Sequence, residues 1–306
     1  MAVVATVDSH PGPPLCDVHR SLGMDAVADG GADQRIFVQG GYEYHHYGQG
    51  ARDEGWGCAY RTCQTIFRCP RARARVCVSG GHVRVEMATS AVPEAHVCVC
   101  VCVCSCVRVC VHHSWYKLRN PGCVRGVPSI GDMQRQLVHI GDKPASFAKS
   151  TEWIGSVEIS LLLDSMLGIS CKILHTENDQ RLGDEVASAL VDHFRTAGSP
   201  VMVGGQGGGA RAIIGLELFP SGELRRFLVL DPHYAGADSV ECLKKQMTRV
   251  CVWVRPRDLC QQYGKFTNFC LPLDESATAH GVAGGATGGT RGASADEWHF
   301  EVVESS

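Results

Sequence analysis

Two short stretches of this chain hold side chains that could break a bond. Gly55-Trp56-Gly57-Cys58-Ala59-Tyr60-Arg61 sets a cysteine behind a glycine turn and ahead of a helical run, and Asp231-Pro232-His233-Tyr234 sets a carboxylate and an imidazole two residues apart where an apolar run ends. Thiol, imidazole and carboxylate are the nucleophile, base and orienter of a thiol hydrolase. A cysteine at a helix N-terminus meets unpaired N–H groups and the positive end of the helix dipole, and both favour thiolate over thiol. The same N–H groups can hold the oxyanion of a tetrahedral intermediate. In Asp231-Pro232-His233 the outer two side chains of an extended segment share a face, so the carboxylate can fix the imidazole tautomer. Pro232 removes a ladder donor, which places the motif at a strand end or sheet edge. Against this stand two plain readings. Most helix cysteines are buried packing thiols, which suits Cys63, and Asp-Pro commonly opens a turn. Cysteine peptidase is the leading reading of the pair.

The elements that must position these groups follow from periodicity. From Cys58, the small or apolar Ala59, Cys63, Ile66 and Phe67 fall on one helical face. Ser129 with Asp132 forms a capping box for a helix whose buried stripe is Ile130, Met133, Leu137 and Ile140, stopped by Gly141. Ser156 caps another, lined by Ile159, Leu162, Leu163 and Met166 and ended by Gly168. Glu185 to Phe194 is a further amphipathic helix. Strands are expected at Ile36–Val38, Cys171–Leu174, Val201–Val203, Ala212–Leu216, Phe227–Leu230 and Phe266–Leu273. Helices come first and strands later, which predicts an α+β fold rather than a doubly wound sheet. Residues 1–30 read as a mobile N-terminal segment, 31–274 as the folded domain and 275–306 as a disordered tail.

The chain has 306 residues and a formal net charge of −3, and its pI is about 6.5. That balance leaves no basic footprint for nucleic acid. Neither a signal segment nor a membrane-spanning run is legible, so a soluble, cytoplasmic protein is expected. Of 17 cysteines, eight lie between Cys69 and Cys110 and the other nine are scattered without regular spacing, as mostly buried thiols in a reducing compartment. Val97–Val111 alternates valine and cysteine, the two residues that a GT dinucleotide repeat encodes in every frame, and Ser105 and Arg108 are each one base from TGT. The tract therefore reads as a translated microsatellite, of the kind a retained intron supplies, within an insertion at about 69–113. A soft-metal site on the same cysteines is the weaker reading, because it leaves the interruptions unexplained.

Gly205-Gln206-Gly207-Gly208-Gly209-Ala210 matches a relaxed dinucleotide fingerprint, yet the segment behind it reads as a strand where the phosphate needs a helix. A tight loop between two strands is the preferred reading. His45 and His46 are adjacent and cannot easily share one metal. Trp56 and Trp153 read as core or cleft walls.

Seven collinear stretches carry a resemblance. They are Tyr44-His45-His46-Tyr47-Gly48, Gly55 to Thr62, Gly141-Asp142-Lys143-Pro144, Trp153 to Glu158, Pro200 to Gly205, Leu230 to Tyr234, and Asn268-Phe269-Cys270-Leu271-Pro272. In this order they resemble the cysteine proteases specific for the ubiquitin-fold modifier (peptidase family C78-like). With Asp17-Val18-His19-Arg20 near the start, the chain looks like the family's short form. The resemblance implies a papain-like fold, with the nucleophile at a helix N-terminus packed on an antiparallel sheet that carries the Asp-Pro-His motif. It implies cleavage after the modifier's C-terminal glycine, both in the precursor and in lysine conjugates, by a monomer that needs no cofactor or metal. Cys58 matches the nucleophile, Asp231 and His233 the other triad members, and Tyr47 a tyrosine whose hydroxyl helps hold the oxyanion. Trp56 and Gly57 match substrate-binding positions, with Trp56 walling a narrow channel. There are three departures. The insertion follows Gln64-Thr65-Ile66, Ala210-Arg211-Ala212 stands where longer members have Ala-His-Thr, and Cys251-Val252-Trp253 replaces a Gly-Trp-rich segment. A non-cleaving modifier-binding protein, its Cys58 helix deformed by the insertion, is the alternative expectation.

Overall fold

The computed structural model describes residues 15–26, 34–39, 41–67, 127–177, 182–264 and 266–273, together with the backbone of four short strands between 74 and 111. The expected tail at 275–306 and the side chains of the Val/Cys tract lie outside the described residues. Chain order runs through α1 (Val18–Ser21), β1 (Gln34–Phe37) and α2 (Cys58–Phe67). Two hairpins follow, β2 (Ala74–Ser79) with β3 (His82–Met87) and β4 (Val97–Cys100) with β5 (Arg108–Val111). Then come α3 (Ile130–His139), α4 (Ser156–Leu167), β6 (Cys171–Glu177), α5 (Asp184–Thr196), β7 (Val201–Gly205), β8 (Arg211–Leu218) and β9 (Leu224–Leu230). The last elements are α6 (Val240–Lys245), α7 (Met247–Val250), β10 (Cys251–Val254), α8 (Pro256–Tyr263) and β11 (Phe266–Pro272).

The main sheet has seven strands in the order β10-β9-β8-β7-β11-β6, with β1 also paired to β8. Every pairing is antiparallel, as the α+β expectation requires. Strand alternation splits the interior in two. Met202 and Cys270 face a core built with Tyr60, Phe67, Met133, Leu137, Ile159 and Leu163 of the helices α2, α3 and α4. Their strand neighbours Val201, Val203, Phe269 and Leu271 face the other core, with Leu190 and Phe194 of α5 and Leu259 of α8. The sheet therefore separates a helical half, which owns Cys58, from a half that owns the β9 end.

Several local expectations meet corrections. Residues 15–26 fall within the segment expected to be mobile, yet Val18 and His19 are buried and Tyr44 N–H donates to the Leu15 carbonyl at 2.8 Å. The Ser129–Asp132 capping box forms as expected, but Ile140 is the C-cap residue and 37% exposed, because the helix ends before its stripe returns to the core. Ser156 is the first residue of α4 rather than its cap. Gly155 holds the cap position, and its N–H donates to Glu158 Oε2 at 2.8 Å. Trp153 walls no core, being 69% exposed. The amphipathic reading of α2 understates its burial, since Arg61, Thr62, Gln64 and Thr65 are buried as well.

Candidate active site

The loop ahead of α2 is held by a buried ion pair. Asp53 Oδ2 accepts from Arg61 Nε at 2.7 Å, and Asp53 Oδ1 accepts from Gly48 N–H at 3.0 Å. The Asp53 carbonyl accepts from the N–H groups of Trp56 and Gly57, while Arg61 also reaches the Gln49 carbonyl and Gln64 Oε1. A Cβ on Gly57 would lie 2.5 Å from Asp53 Oδ2, so the turn closes this tightly only with glycine. The pair thus fixes where α2 begins and where the Cys58 thiol sits.

The partners of Cys58 arrive from the sheet half. Leu230 ends β9, and Asp231-Pro232-His233 leaves the strand directly behind it. Pro232 stands at a strand end, as expected, but β9 is flanked by β8 and β10 and is not a sheet edge. Asp231 Oδ1 lies 2.5 Å from His233 Nδ1 and accepts the His233 backbone N–H at 2.9 Å. Tyr44 to Tyr47 clamps this segment carbonyl by carbonyl. Tyr44 Oη donates to Asp231 O at 2.6 Å, and Tyr47 N–H donates to Pro232 O at 3.0 Å. His46 Nδ1 lies 3.1 Å from Tyr234 O, and its Nε2 lies 2.5 Å from Asp238 Oδ1. The histidine pair weighed as metal ligands is therefore buried structure. The Tyr47 ring stands edge-on to the His233 ring, with centroids 5.2 Å apart.

The glycine loop joins β7 to β8 and reaches the thiol. Ala210 N–H donates to Cys58 Sγ at 3.3 Å. Gly209 has φ +68°, and a Cβ on it would lie 2.7 Å from His233 Nε2 and 3.5 Å from Cys58 Sγ. The bare α-carbon keeps that space beside the His233 imidazole and the Cys58 thiol clear. Neither Ala210 nor Gly209 was singled out from the sequence as a site residue. The run of three glycines closing on a strand was the available signal, and a nucleotide fingerprint competed for it.

Electrostatics follow this geometry. Burial opposes ionisation of Cys58, but the hydrogen bonds from His233 and Ala210, the imidazolium charge and the Tyr47 hydroxyl outweigh it, so the thiol pKa falls below its usual value. Burial likewise opposes protonation of His233, but its hydrogen bonds to Asp231 and Cys58 and their negative charges raise its pKa to about 9. Asp231 is pushed up by burial and pulled down further by the His233 hydrogen bond and the Arg211 charge. Burial, with the Cys58 charge beside it, raises the Tyr47 phenol well above its usual value, so it stays a donor. Both shifts run toward a thiolate–imidazolium pair. Trp56 packs edge-on against Tyr60 at 5.7 Å, and its indole N–H donates to the Arg52 carbonyl.

Among the described residues, no three His, Cys, Asp or Glu side chains converge as a metal cage, and no helix is long and apolar enough to cross a membrane. The eight cysteines whose side chains are described form no disulfide, and four of them are buried.

Comparison with known proteins bears on this arrangement. The model of peptidase family C78 matches residues 33–78 and 108–270, passing over 79–107. The chain is 35% identical over 269 residues to a probable Ufm1-specific protease 2 of Drosophila pseudoobscura pseudoobscura, covering 87% of this chain and 35% of that protein. It is 34% identical over 239 residues to the Ufm1-specific protease 2 of Homo sapiens, covering 77% of this chain and 39% of that one. The crystal structure of UfSP from C. elegans superposes with a TM-score of 0.52 at 27% identity, over 85% of this chain and 37% of the other. The chain thus spans about a third to two fifths of the length of these relatives.

Proposed function

This chain belongs to peptidase family C78, and from that premise we propose that it is a thiol peptidase that cleaves after the C-terminal glycine of the ubiquitin-fold modifier, both in the precursor and in lysine conjugates. One observation carries the reading. Cys58 stands at a helix N-terminus within reach of the Ala210 amide and of a His233 imidazole held by Asp231. The curated relatives are named for this modifier, which supports the choice of substrate. The thiolate attacks the carbonyl carbon of the scissile bond. The Tyr47 hydroxyl and the N-terminal amides of α2 face the oxyanion. As the tetrahedral intermediate collapses, the His233 imidazolium gives its proton to the departing amine, leaving a thioester on Cys58. Water then attacks the thioester carbonyl as His233 takes its proton, and the modifier departs with a free glycine carboxylate. Trp56 and Gly57 line the approach of the modifier's last residues.

The alternative, a binder that cannot cleave, required a deformed nucleophile helix. α2 runs unbroken from Cys58 to Phe67 and its partners are assembled around the thiol, which favours catalysis. We place the enzyme in the cytoplasm, on the support of eight described cysteines that form no disulfide. The test is intact mass after mixing the full chain with the modifier bearing a C-terminal electrophile. One covalent adduct, mapped to Cys58 and missing from Cys58→Ala, is the expected result. Absence of an adduct, or its persistence in Cys58→Ala, overturns the reading.

A further inference from the structure

The two oxygens of Asp231 have different partners. Oδ1 is held by His233, through both its ring and its backbone N–H. Oδ2 accepts from Arg211 Nε at 2.7 Å. The same guanidinium goes further, because its Nη1 donates to the Gly208 carbonyl at 2.6 Å and to the Tyr263 hydroxyl at 3.1 Å. Its central carbon lies 5.9 Å from the centroid of the Tyr263 ring. Arg211 opens β8, directly behind Ala210, whose amide faces Cys58. One planar cation therefore joins the β9 end, the glycine loop and the C-terminus of α8. A lysine ammonium is a point donor and cannot match that fork.

We propose that Arg211 is a positioning residue: by taking Oδ2 it aims the Asp231 carboxylate at the imidazole, and by holding Gly208 it keeps the Ala210 amide against Cys58. The proposal rests on the peptidase reading only for which atoms react. It carries an electrostatic consequence. Arg211 on β8 and His233 behind β9 are two cations competing for one carboxylate, in surroundings that also hold Cys58 on α2, Tyr44 and Tyr47 from the clamping loop and Tyr263 on α8. With a neutral side chain in place of Arg211, the imidazolium alone balances the carboxylate and keeps its proton to higher pH.

The experiment measures the alkylation rate of Cys58 by iodoacetamide against pH, resolved by peptide mass spectrometry, in the full chain. The upper inflection of that profile reports loss of the imidazolium. Arg211→Met is expected to move it upward by about one pH unit and to lower kcat on a modifier C-terminal amide by about tenfold or more, with KM changed far less. Arg211→Lys is expected to leave the inflection near its original place while kcat stays low, because charge returns without the fork. An unmoved inflection in Arg211→Met, or full kcat in Arg211→Lys, overturns the proposal. Should Arg211→Met fail to fold, Arg211→Lys decides, and unchanged kcat there overturns it. Alkylation needs no modifier. A chain that shows the shift but cleaves nothing sinks the substrate reading and leaves Arg211 in place, whereas cleavage without the shift does the reverse.

Discussion

Cys58 and Cys63 lie on the same helix, five positions apart, and their environments push them in opposite directions. Cys63 is fully buried in the helical core, and that burial, with the Cys171 charge nearby, holds its thiol well above the ordinary range. Cys58 also suffers desolvation, yet its pKa falls, because donors surround the sulfur. The His233 ring, the Ala210 amide and the Tyr47 hydroxyl all come from outside the helix. The helix sets Cys58 at its N-terminal end and Cys63 on its buried face, and the donors that lower the Cys58 pKa come from other elements. Reactivity here is a property of where the helix end meets the other half of the molecule.

The contrast can be broken or sharpened by measurement. Cys58→Ala is expected to lower kcat/KM by roughly 10⁴-fold or more, as loss of a nucleophile does. Cys63→Ala leaves kcat/KM within about twofold, since a packing thiol takes no part in the chemistry. Steady-state cleavage of a modifier C-terminal amide reads both, and equal losses at the two positions end the distinction. The buried pair that sets the start of α2 ranks next. Arg61→Met strands the Asp53 carboxylate in the interior and is expected to cost about 3–5 kcal/mol of unfolding free energy, measured by denaturant titration. A loss below about 1 kcal/mol means that the loop ahead of Cys58 is held by something else.

Gly209→Ala follows. Its Cβ meets His233 Nε2 at a left-handed backbone position, so kcat/KM is expected to drop about 10²-fold while stability falls by only about 1 kcal/mol. A fall in stability without one in rate removes the glycine loop from the site. The pH profile sharpens the comparison further. A histidine raised from 6.5 to about 9 keeps its charge in the folded site until pH nears 9, and the stability that charge contributes is full below pH 6.5 and lost as pH rises through about 9. Activity and the imidazolium's share of stability both decline across that alkaline limb. On the acid side activity is lost as the depressed Cys58 thiolate gains its proton. An alkaline limb near 6.5 in kcat/KM means that Asp231 does not hold the ring. The smallest effect is on stability in Cys63→Ala, about 1 kcal/mol, read as a shift in the unfolding midpoint.

Much of the fold is legible along the chain because local rules write it there. The capping box at Ser129, the stop at Gly168 and the apolar runs that became β7, β8 and β9 lie within a few residues of their observed bounds. The polar α6–α8 region escaped, because short helices and a four-residue strand carry too little periodicity to register. Serine favours the cap position, so the sequence points to Ser156, while the glycine ahead of it takes the cap backbone and borrows Glu158.

By itself the sequence determined which residue types are available for chemistry. It supplied a cysteine behind a glycine turn, a carboxylate two residues from an imidazole, and a tyrosine in a conspicuous aromatic-histidine run. Those are local facts, since spacing along the chain fixes them. Only the tertiary structure decided that a loop of glycines brings the Ala210 amide to the Cys58 sulfur, and that Arg211 shares Asp231 with His233. Ala210 lies 152 positions from Cys58. No local rule relates residues so far apart, and the packing of the helical half against the sheet puts them in contact.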